Sequence, residues 1–166
     1  MAGLNAQSTQ PDRRLGSVLA GLGCRVSQGD DWIEVEGGQP LTGFDLDVAD
    51  APDLAPTLAV VAMFAEGPTR IRGIAHLRMK ESDRLEAIAA NLSALGRPAR
   101  ACADGLEIDR SDGPLRGAKI ATRSDHRIAM AFSVAGLRVE DVELDDPACV
   151  AKSNPAFWAQ YRRLSD

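Results

Sequence analysis

The chain has 166 residues, 45% of them hydrophobic, which is enough for one domain or two small ones with a real core. Its net charge of −5 provides no basic surface for nucleic acid. No stretch approaches the roughly 18 apolar residues of a membrane-spanning helix, and no signal-peptide pattern opens the chain, so we expect a cytoplasmic protein that does not bind a membrane.

The elements of the first half follow from apolar spacing and from the positions of glycine and proline. Residues 1–11 are polar and aperiodic, which is typical of a disordered leader or of the start of a fragment. After them the pattern predicts, in order, a helix over 13–22, strands over 24–27, 32–36 and 44–48, a helix over 54–64 and a strand over 69–74.

The second half repeats this order. It predicts a helix from Leu85 to just before Gly96, strands over 100–103, 106–109 and 119–122, a helix opened by Asp125, a strand over 142–144, and a closing helix with Asn154 and Pro155 at its N-cap and first position. Gly96 lies 73 residues after Gly23, and Asp125 lies 72 residues after Asp53. This self-similarity favours a duplicated α/β unit over a solenoid, whose repeats are shorter. The first copy has no strand and helix before residue 13, so we expect the chain to be a fragment.

The three cysteines, Cys24, Cys102 and Cys149, form no C-x-x-C pair, and the chain has only two histidines. An odd number of cysteines without metal-ligand spacing predicts reduced, structural thiols. We therefore expect no metal site and no cofactor.

A dense group of charges precedes the helix that begins near Leu85. Residues 78–84 hold the cations Arg78, Lys80 and Arg84 and the acids Glu81 and Asp83. Helix N-termini favour carboxylates, so cations placed there are best explained by a bound anion. The alternative is a solvated charge cluster in which Ser82 or Asp83 caps the helix, and the spacing alone favours that simpler interpretation.

Three stretches in one order resemble a known family. "LRMKESDRLEAIAANLSALG" resembles the Arg-x-Lys-Glu-x-Asp-Arg signature of the EPSP synthase family, the 3-phosphoshikimate 1-carboxyvinyltransferases of the shikimate pathway. "SDHRIAMAF", from Ser124 to Phe132, resembles that family's Asp-His-Arg helix start, and "DDPACVAKSNPAFW", from Asp145, resembles its C-terminal segment.

The resemblance implies a fold class. It is an α/β (α+β) fold of repeated βαβαββ units, with helices packed around a pseudo-symmetry axis and sheets outside. The family has two domains of three units each and a site in the cleft between them. This chain resembles the last part of the second domain, residues 12–166, as two units over 12–80 and 81–166. The N-terminal domain of the same enzyme is then the expected partner.

The resemblance also implies an activity and its residues. The family transfers the enolpyruvyl group of phosphoenolpyruvate to the 5-hydroxyl of shikimate 3-phosphate and releases phosphate, for aromatic amino acid biosynthesis. Asp53 matches the catalytic aspartate, which touches the shikimate hydroxyls, and Glu81 matches the glutamate that handles the methyl or methylene proton. Lys80 matches a lysine that contacts shikimate phosphate or the reacting oxygens. The positions that bind phosphoenolpyruvate are Arg84, Arg127 and Lys152.

This chemistry agrees with the residue types, because both substrates are anions that need fixed cations, and proton transfers need placed acids and bases. Asp125 and His126 are expected to support the site. His76 stands where many members have an asparagine that binds shikimate phosphate. Taken singly, Asp53 is also compatible with an N-cap, Glu81 and Lys80 with solvated surface residues, and His126 with a partly buried structural histidine.

Two other functions are compatible with parts of the pattern. The UDP-N-acetylglucosamine enolpyruvyl transferases share the fold, but they usually supply a reactive cysteine from the other domain, and their motifs differ from Lys-Glu-x-Asp-Arg. A non-catalytic module that binds a phosphorylated ligand would not need Glu81 beside its cations. The shikimate 3-phosphate enzyme is therefore the leading expectation. We expect one face of the fold to hold Asp53, Lys80, Glu81, Arg84, Arg127 and Lys152. We also expect the fragment alone to be catalytically inactive.

Overall fold

The computed structural model describes residues 9–110 and 113–165. The expected leader, 1–11, lies mostly outside these residues, and Pro11 already begins a 3₁₀ helix, Pro11–Arg13. The α-helices and β-strands of these residues are, in order, α1 (Arg14–Gly21), β1 (Arg25–Gln28), β2 (Ile33–Glu36), β3 (Leu41–Thr42), β4 (Asp45–Asp47), α2 (Ala55–Met63), β5 (Ala65–Glu66), β6 (Thr69–Arg72), α3 (Arg84–Ala94), β7 (Ala99–Ala101), β8 (Leu106–Ile108), β9 (Ala118–Ile120), α4 (His126–Ala135), β10 (Val142–Leu144) and α5 (Phe157–Ser165). Further 3₁₀ helices span Pro52–Leu54, Ala75–Met79 and Pro147–Lys152. Each predicted element is present, with its ends within two residues of the prediction, whereas the short strands β3 and β5 were not predicted.

Each half of the chain contains the same strand arrangement. In the first half β1 and β2 form an antiparallel hairpin, and β4 pairs in parallel with β6 across helix α2. In the second half β7 and β8 form the hairpin, and β9 pairs in parallel with β10 across α4. An antiparallel contact between β6 and β8 joins the halves into a four-stranded sheet with the order β4-β6-β8-β7. The predicted repeated α/β fold is confirmed, and the unit boundary at residue 80 stays a prediction.

Three helices form the centre of the core. Helices α2, α3 and α4 contact one another, whereas α1 packs on the β1–β2 hairpin. Leu58, Ile88 and Phe132, one from each central helix, are fully buried. Strand β6 alternates, with Thr69 and Ile71 buried and the arginines between and after them exposed, so one face of its sheet covers the helices. The helices lie inside and the sheet outside because these apolar faces bury one another.

The start of the closing helix differs from the prediction. Helix α5 begins at Phe157, two residues after Pro155. The side-chain amide of Asn154 donates a hydrogen bond to the side-chain oxygen of Gln160, within the helix, at 3.0 Å. Trp158 fixes the helix by donating from Nε1 to the carbonyl oxygen of Pro147 at 2.8 Å. Tyr161 donates similarly to the carbonyl of Ser133 in α4, also at 2.8 Å.

Glycine at two positions follows from the local geometry. Gly96 has a φ of 92° and ends α3 as predicted, in a conformation that other residues rarely adopt. Gly105, in the turn between β7 and β8, lies so close to β6 that a Cβ atom there would overlap the carbonyl oxygen of Ile71. The hairpin turn of the second half therefore packs directly on the backbone of the first half.

None of the helices in the described ranges has the length and apolar character needed to cross a membrane.

We expect Gly105→Ala to lower the free energy of unfolding by about 1–3 kcal/mol, because its methyl group overlaps backbone that cannot move without disturbing the four-stranded sheet. Urea denaturation measures the loss. Gly37→Ala is the matched control, since a Cβ on Gly37 would meet no described atom within 4 Å. Equal stabilities for the two variants would contradict the close packing of the hairpin on β6.

Candidate functional site

The predicted site residues come together where three central helices begin. Asp53 lies in the 3₁₀ helix Pro52–Leu54 that leads into α2, and Arg84 is the first residue of α3. Arg127 lies in the first turn of α4, directly after His126. Because the duplicated units place helix starts at the same end of the core, side chains that are far apart in sequence converge there.

Arg84 is the central residue of this cluster. Its side chain is only 2% exposed. Nε donates a hydrogen bond to Oδ2 of Asp125 at 2.7 Å, Nη1 to Oδ1 of Asp53 at 3.0 Å, and Nη2 to Oε2 of Glu81 at 2.8 Å. A buried guanidinium is costly unless carboxylates surround it, so Arg84 fixes the positions of all three acids.

Two more exposed cations extend the cluster. Nη2 of Arg127 lies 2.8 Å from Oδ2 of Asp53, and Nζ of Lys152 lies 3.2 Å from Oε1 of Glu81. The exposed fractions of these two cationic side chains are 34% and 61%. Asp53 and Glu81 therefore each bridge the buried Arg84 to a cation at the surface. We call the whole set the Arg84 network, which consists of Asp53, Glu81, Arg84, Asp125, Arg127 and Lys152.

Asp125 is fully buried and has two functions in the fold. Its Oδ1 caps α4 by accepting a hydrogen bond from the backbone N–H of Arg127 at 2.9 Å. Its Oδ2 accepts from Arg84 and also from the hydroxyl of Ser82, at 3.4 Å. Before it, Arg123 and Ser124 have left-handed φ angles of 55° and 54°, which turn the chain from β9 into the helix. The start of α4 and the buried arginine thus share one carboxylate.

Glu81 has a strongly perturbed acidity. A hydrogen bond from its own backbone N–H, the contact with Lys152 and the charge of Arg84 lower the pKa of Glu81 to about 2. Its carboxylate is therefore ionised at neutral pH in this arrangement. Any role for Glu81 in carrying a proton requires that one of these contacts be weakened first.

Asp53 does not have the N-cap role that its sequence position allowed. The structure records no side-chain cap at the start of either the 3₁₀ helix Pro52–Leu54 or α2. Instead the carboxylate of Asp53 receives Arg84 and Arg127, and its side chain is 41% exposed. Asp83, one of the two residues expected to cap α3, does so by accepting from the N–H of Glu86 at 3.1 Å.

Three predicted residues lie outside the Arg84 network. Lys80 is exposed and, among the described residues, has no ion pair or hydrogen bond. His76 is exposed on the 3₁₀ helix Ala75–Met79. His126 is buried, and its Nδ1 has no hydrogen-bond partner within the described part of the chain. Ser82, the other residue expected to cap α3, instead donates from its hydroxyl to Asp125, at the start of α4.

In residues 9–110 and 113–165, no group of three His, Cys, Asp or Glu side chains is arranged to hold a metal ion. The three cysteines are unpaired thiols, each partly buried. Burial raises the pKa of Cys149, so this thiol is less reactive than an exposed one.

Comparisons with known proteins place the chain in one family. The family described as "EPSP synthase (3-phosphoshikimate 1-carboxyvinyltransferase)" matches residues 1–161. A 3-phosphoshikimate 1-carboxyvinyltransferase of Syntrophobacter fumaroxidans is 47% identical over 97% of this chain and 38% of its own length. One of Methanosphaerula palustris is 47% identical over 93% of this chain and 36% of its own length.

Solved structures show the same similarity. The EPSP synthase of Acinetobacter baumannii superposes with a TM-score of 0.83 and 29% identity, over 99% of this chain and 41% of that one. The enolpyruvyl transferase NikO of Streptomyces tendae gives a TM-score of 0.69 and 25% identity, over 89% of this chain and 34% of that one. The chain thus spans about 38% of the length of its first curated relative.

We expect Asp125→Ala to lower the free energy of unfolding by about 3–5 kcal/mol, because it removes the closest acceptor of a buried guanidinium and the cap of α4. Chemical denaturation measures the loss, and adding Arg84→Met should recover part of it by removing the buried charge. Asp50→Ala is the control, since Asp50 pairs with Arg14 at the surface and is 72% exposed. A loss in Asp125→Ala no greater than in this control would contradict the central place of the Arg84 contact.

Proposed function

The chain belongs to the EPSP synthase family, and from that premise we propose that it works within a longer enzyme that transfers the enolpyruvyl group of phosphoenolpyruvate to the 5-hydroxyl of shikimate 3-phosphate. The observation that carries the proposal is the Arg84 network, in which two partly exposed carboxylates each join the buried arginine to a more exposed cation. Acids beside anion-binding cations are what an addition and elimination on phosphoenolpyruvate requires.

In this proposal Arg127 and Lys152 bind phosphoenolpyruvate. Both are accessible, and each contacts a carboxylate that a phosphate or carboxylate of the substrate can replace. Arg84 is almost fully buried, and its three nitrogens already face the acids of the network. We therefore expect Arg84 to contact substrate only after Asp53 or Glu81 gives up its hydrogen bond to the guanidinium. The binding of phosphoenolpyruvate by Arg84 stays a prediction.

Asp53 and Glu81 supply the proton transfers. The 5-hydroxyl loses its proton as its oxygen bonds to C2 of phosphoenolpyruvate, and the methylene carbon gains one. The elimination that follows returns the methylene group and expels phosphate. Asp53 is the proposed base for the hydroxyl, since its side chain is 41% exposed beside Arg127. Glu81 is proposed to handle the carbon proton once substrate draws Lys152 away, because the loss of that contact raises its pKa from about 2.

The remaining assignments are part of the same proposal. Lys80, one residue before Glu81 and exposed, is the proposed contact for shikimate 3-phosphate, together with Asp53. His76 is a further candidate for the phosphate contact, while Asp125 and His126 support the helix start that carries Arg127. Residues 12–80 and 81–166 act as two units of the second domain, and the N-terminal domain of the enzyme is the partner that covers the site. A cytoplasmic location stays a prediction.

We expect this chain alone to release no measurable phosphate from shikimate 3-phosphate and phosphoenolpyruvate. We expect it to gain turnover when the rest of a close relative, which is its N-terminal domain and the remaining unit of its second domain, is added in trans. An uncovered site leaves the reacting groups in water, where positioning and electrostatic stabilisation are weak. A coupled assay for inorganic phosphate measures both states. Turnover by the chain alone would contradict a site shared with the rest of the enzyme. If no relative's remaining part restores turnover, the proposed function is contradicted.

The same assay tests the acceptor. Replacing shikimate 3-phosphate with UDP-N-acetylglucosamine should abolish phosphate release in the reconstituted protein. Turnover with the nucleotide sugar, and none with shikimate 3-phosphate, would assign the other enolpyruvyl transferase activity.

We expect Glu81→Gln to reduce turnover of the reconstituted protein by about 100-fold or more with a modest change in binding, because glutamine keeps the size of the side chain but cannot exchange a proton. Steady-state kinetics give kcat and KM. Glu143→Gln, at an exposed acid of β10, is the control and should leave both unchanged. Turnover of Glu81→Gln near that of the unmodified protein would rule out the proton-transfer role.

A further inference from the structure

Two charged residues of the 78–84 motif have no role in the proposed chemistry. Nη1 of Arg78 donates to Oδ2 of Asp83 at 3.1 Å and to Oε1 of Glu86 at 3.3 Å. Its Nη2 donates to the carbonyl oxygen of Cys102 at 2.9 Å, in the turn of the β7–β8 hairpin. Arg78 thus connects three places: the end of the 3₁₀ helix Ala75–Met79, the first turn of α3, and the hairpin that follows α3.

The segment between these anchors is the one that carries the chemistry. Residues 80–82 lie between the 3₁₀ helix and α3, and no backbone-to-backbone hydrogen bond is recorded for them within the described residues. Their geometry therefore depends on side chains and on the two ends of the segment. Arg78 spans those ends, because it lies just before the segment while Asp83, its partner, lies just after it. Asp83 in turn caps α3 through its other oxygen.

The position of Glu81 follows from this arrangement. Its carboxylate must reach Nη2 of Arg84 on one side and Nζ of Lys152 on the other, at 2.8 and 3.2 Å. Lys152 belongs to the 3₁₀ helix Pro147–Lys152, which is 71 residues away in sequence. A loop that is free to move by an ångström would lose one of these contacts, since hydrogen bonds weaken steeply with distance and angle.

We propose that Arg78 is a positioning residue, which holds segment 80–82 so that Glu81 meets both Arg84 and Lys152, and that it is not one of the cations that bind substrate. The part of this inference that concerns turnover rests on the proposed function, whereas the part that concerns the position of Glu81 does not. Arg78 is poorly suited to bind a further anion, because two carboxylates already offset its charge and three of its five N–H groups already have acceptors.

The test uses Arg78→Met, which removes the bridge, and Arg78→Lys, which keeps the charge but not the forked geometry. Arg100→Met is the matched control, because Arg100 lies in the same β7–β8 hairpin and pairs with Glu107 and Asp109 at the surface. The first readout is an NMR titration of the Glu81 carboxyl carbon in this chain between about pH 3 and 6, with the signal assigned by its loss in Glu81→Gln. The second is kcat and KM in the reconstituted protein.

In the unmodified chain and in Arg100→Met, Glu81 should not titrate in this range, because its pKa is about 2. In Arg78→Met we expect its titration to move into the range, towards the ordinary value of 4.5, as the contacts with Lys152 and Arg84 weaken. We also expect kcat to fall about tenfold with KM changed by less than about twofold, and Arg78→Lys to recover part of both effects.

Two results would overturn the proposal. One is an unchanged Glu81 titration in folded Arg78→Met. The other is a rise of tenfold or more in the KM for shikimate 3-phosphate or phosphoenolpyruvate without a change in that titration, which would make Arg78 a substrate-binding cation. If the unmodified reconstituted protein shows no turnover, the proposed function fails, and the titration still decides whether Arg78 positions Glu81.

A second variant covers the case in which Arg78→Met does not fold. Asp83→Asn keeps an oxygen for the cap of α3 and weakens only the charged contact with Arg78. We expect it to shift the Glu81 titration in the same direction by a smaller amount and to lower kcat about threefold. No shift in this variant would overturn the proposal as well.

Discussion

The structure depends on one constraint, which is the burial of the Arg84 guanidinium at the start of α3. A cation with 2% of its side chain exposed cannot be left without carboxylates, and here they come from three separate parts of the chain. The starts of α2 and α4 and the segment before α3 must therefore meet. Helix packing in the core brings these ends close, and the Arg84 contacts select the one arrangement in which the acids face a common centre.

The duplication explains how one arginine comes to have both a structural and an accessible carboxylate. Asp53 and Asp125 occupy equivalent positions, 72 residues apart, and both contact Arg84. Asp125 is buried, caps its helix and binds Nε. Asp53 caps no helix among the described residues, its side chain is 41% exposed, and its carboxylate also contacts Arg127. In the second unit the position stabilises the fold, whereas in the first it is available to a ligand.

Local sequence patterns predicted the elements well because their physical causes are local. Apolar spacing, Gly96 and the turn at Gly105 determine where α3 and the β7–β8 hairpin begin and end. The errors arise where contacts are long-range. The start of α5 depends on the bonds of Trp158 and Tyr161 to distant carbonyls, and the pair β3–β5 is too short to leave a pattern.

The site shows the same division between local and long-range causes. The family resemblance identified the residues of the Arg84 network, but the spacing of charges in the sequence favoured a solvated cluster. Nothing local indicated that Arg78 would reach the Cys102 carbonyl, 24 residues away.

Charge balance within the network has a consequence for binding. Among the described residues, the three cations of the network face three carboxylates, so a phosphate or carboxylate group that arrives must replace contacts that already exist. The free energy gained is then the difference between two sets of similar ion pairs, which is small in water. If water is excluded from the site, the contacts between the arriving anion and the cations become stronger. Asp53 and Glu81, once displaced, then need further cations as partners. A cluster built in this way binds anions weakly while open and strongly once covered. In the proposed function, closure by the N-terminal domain is therefore part of the binding itself.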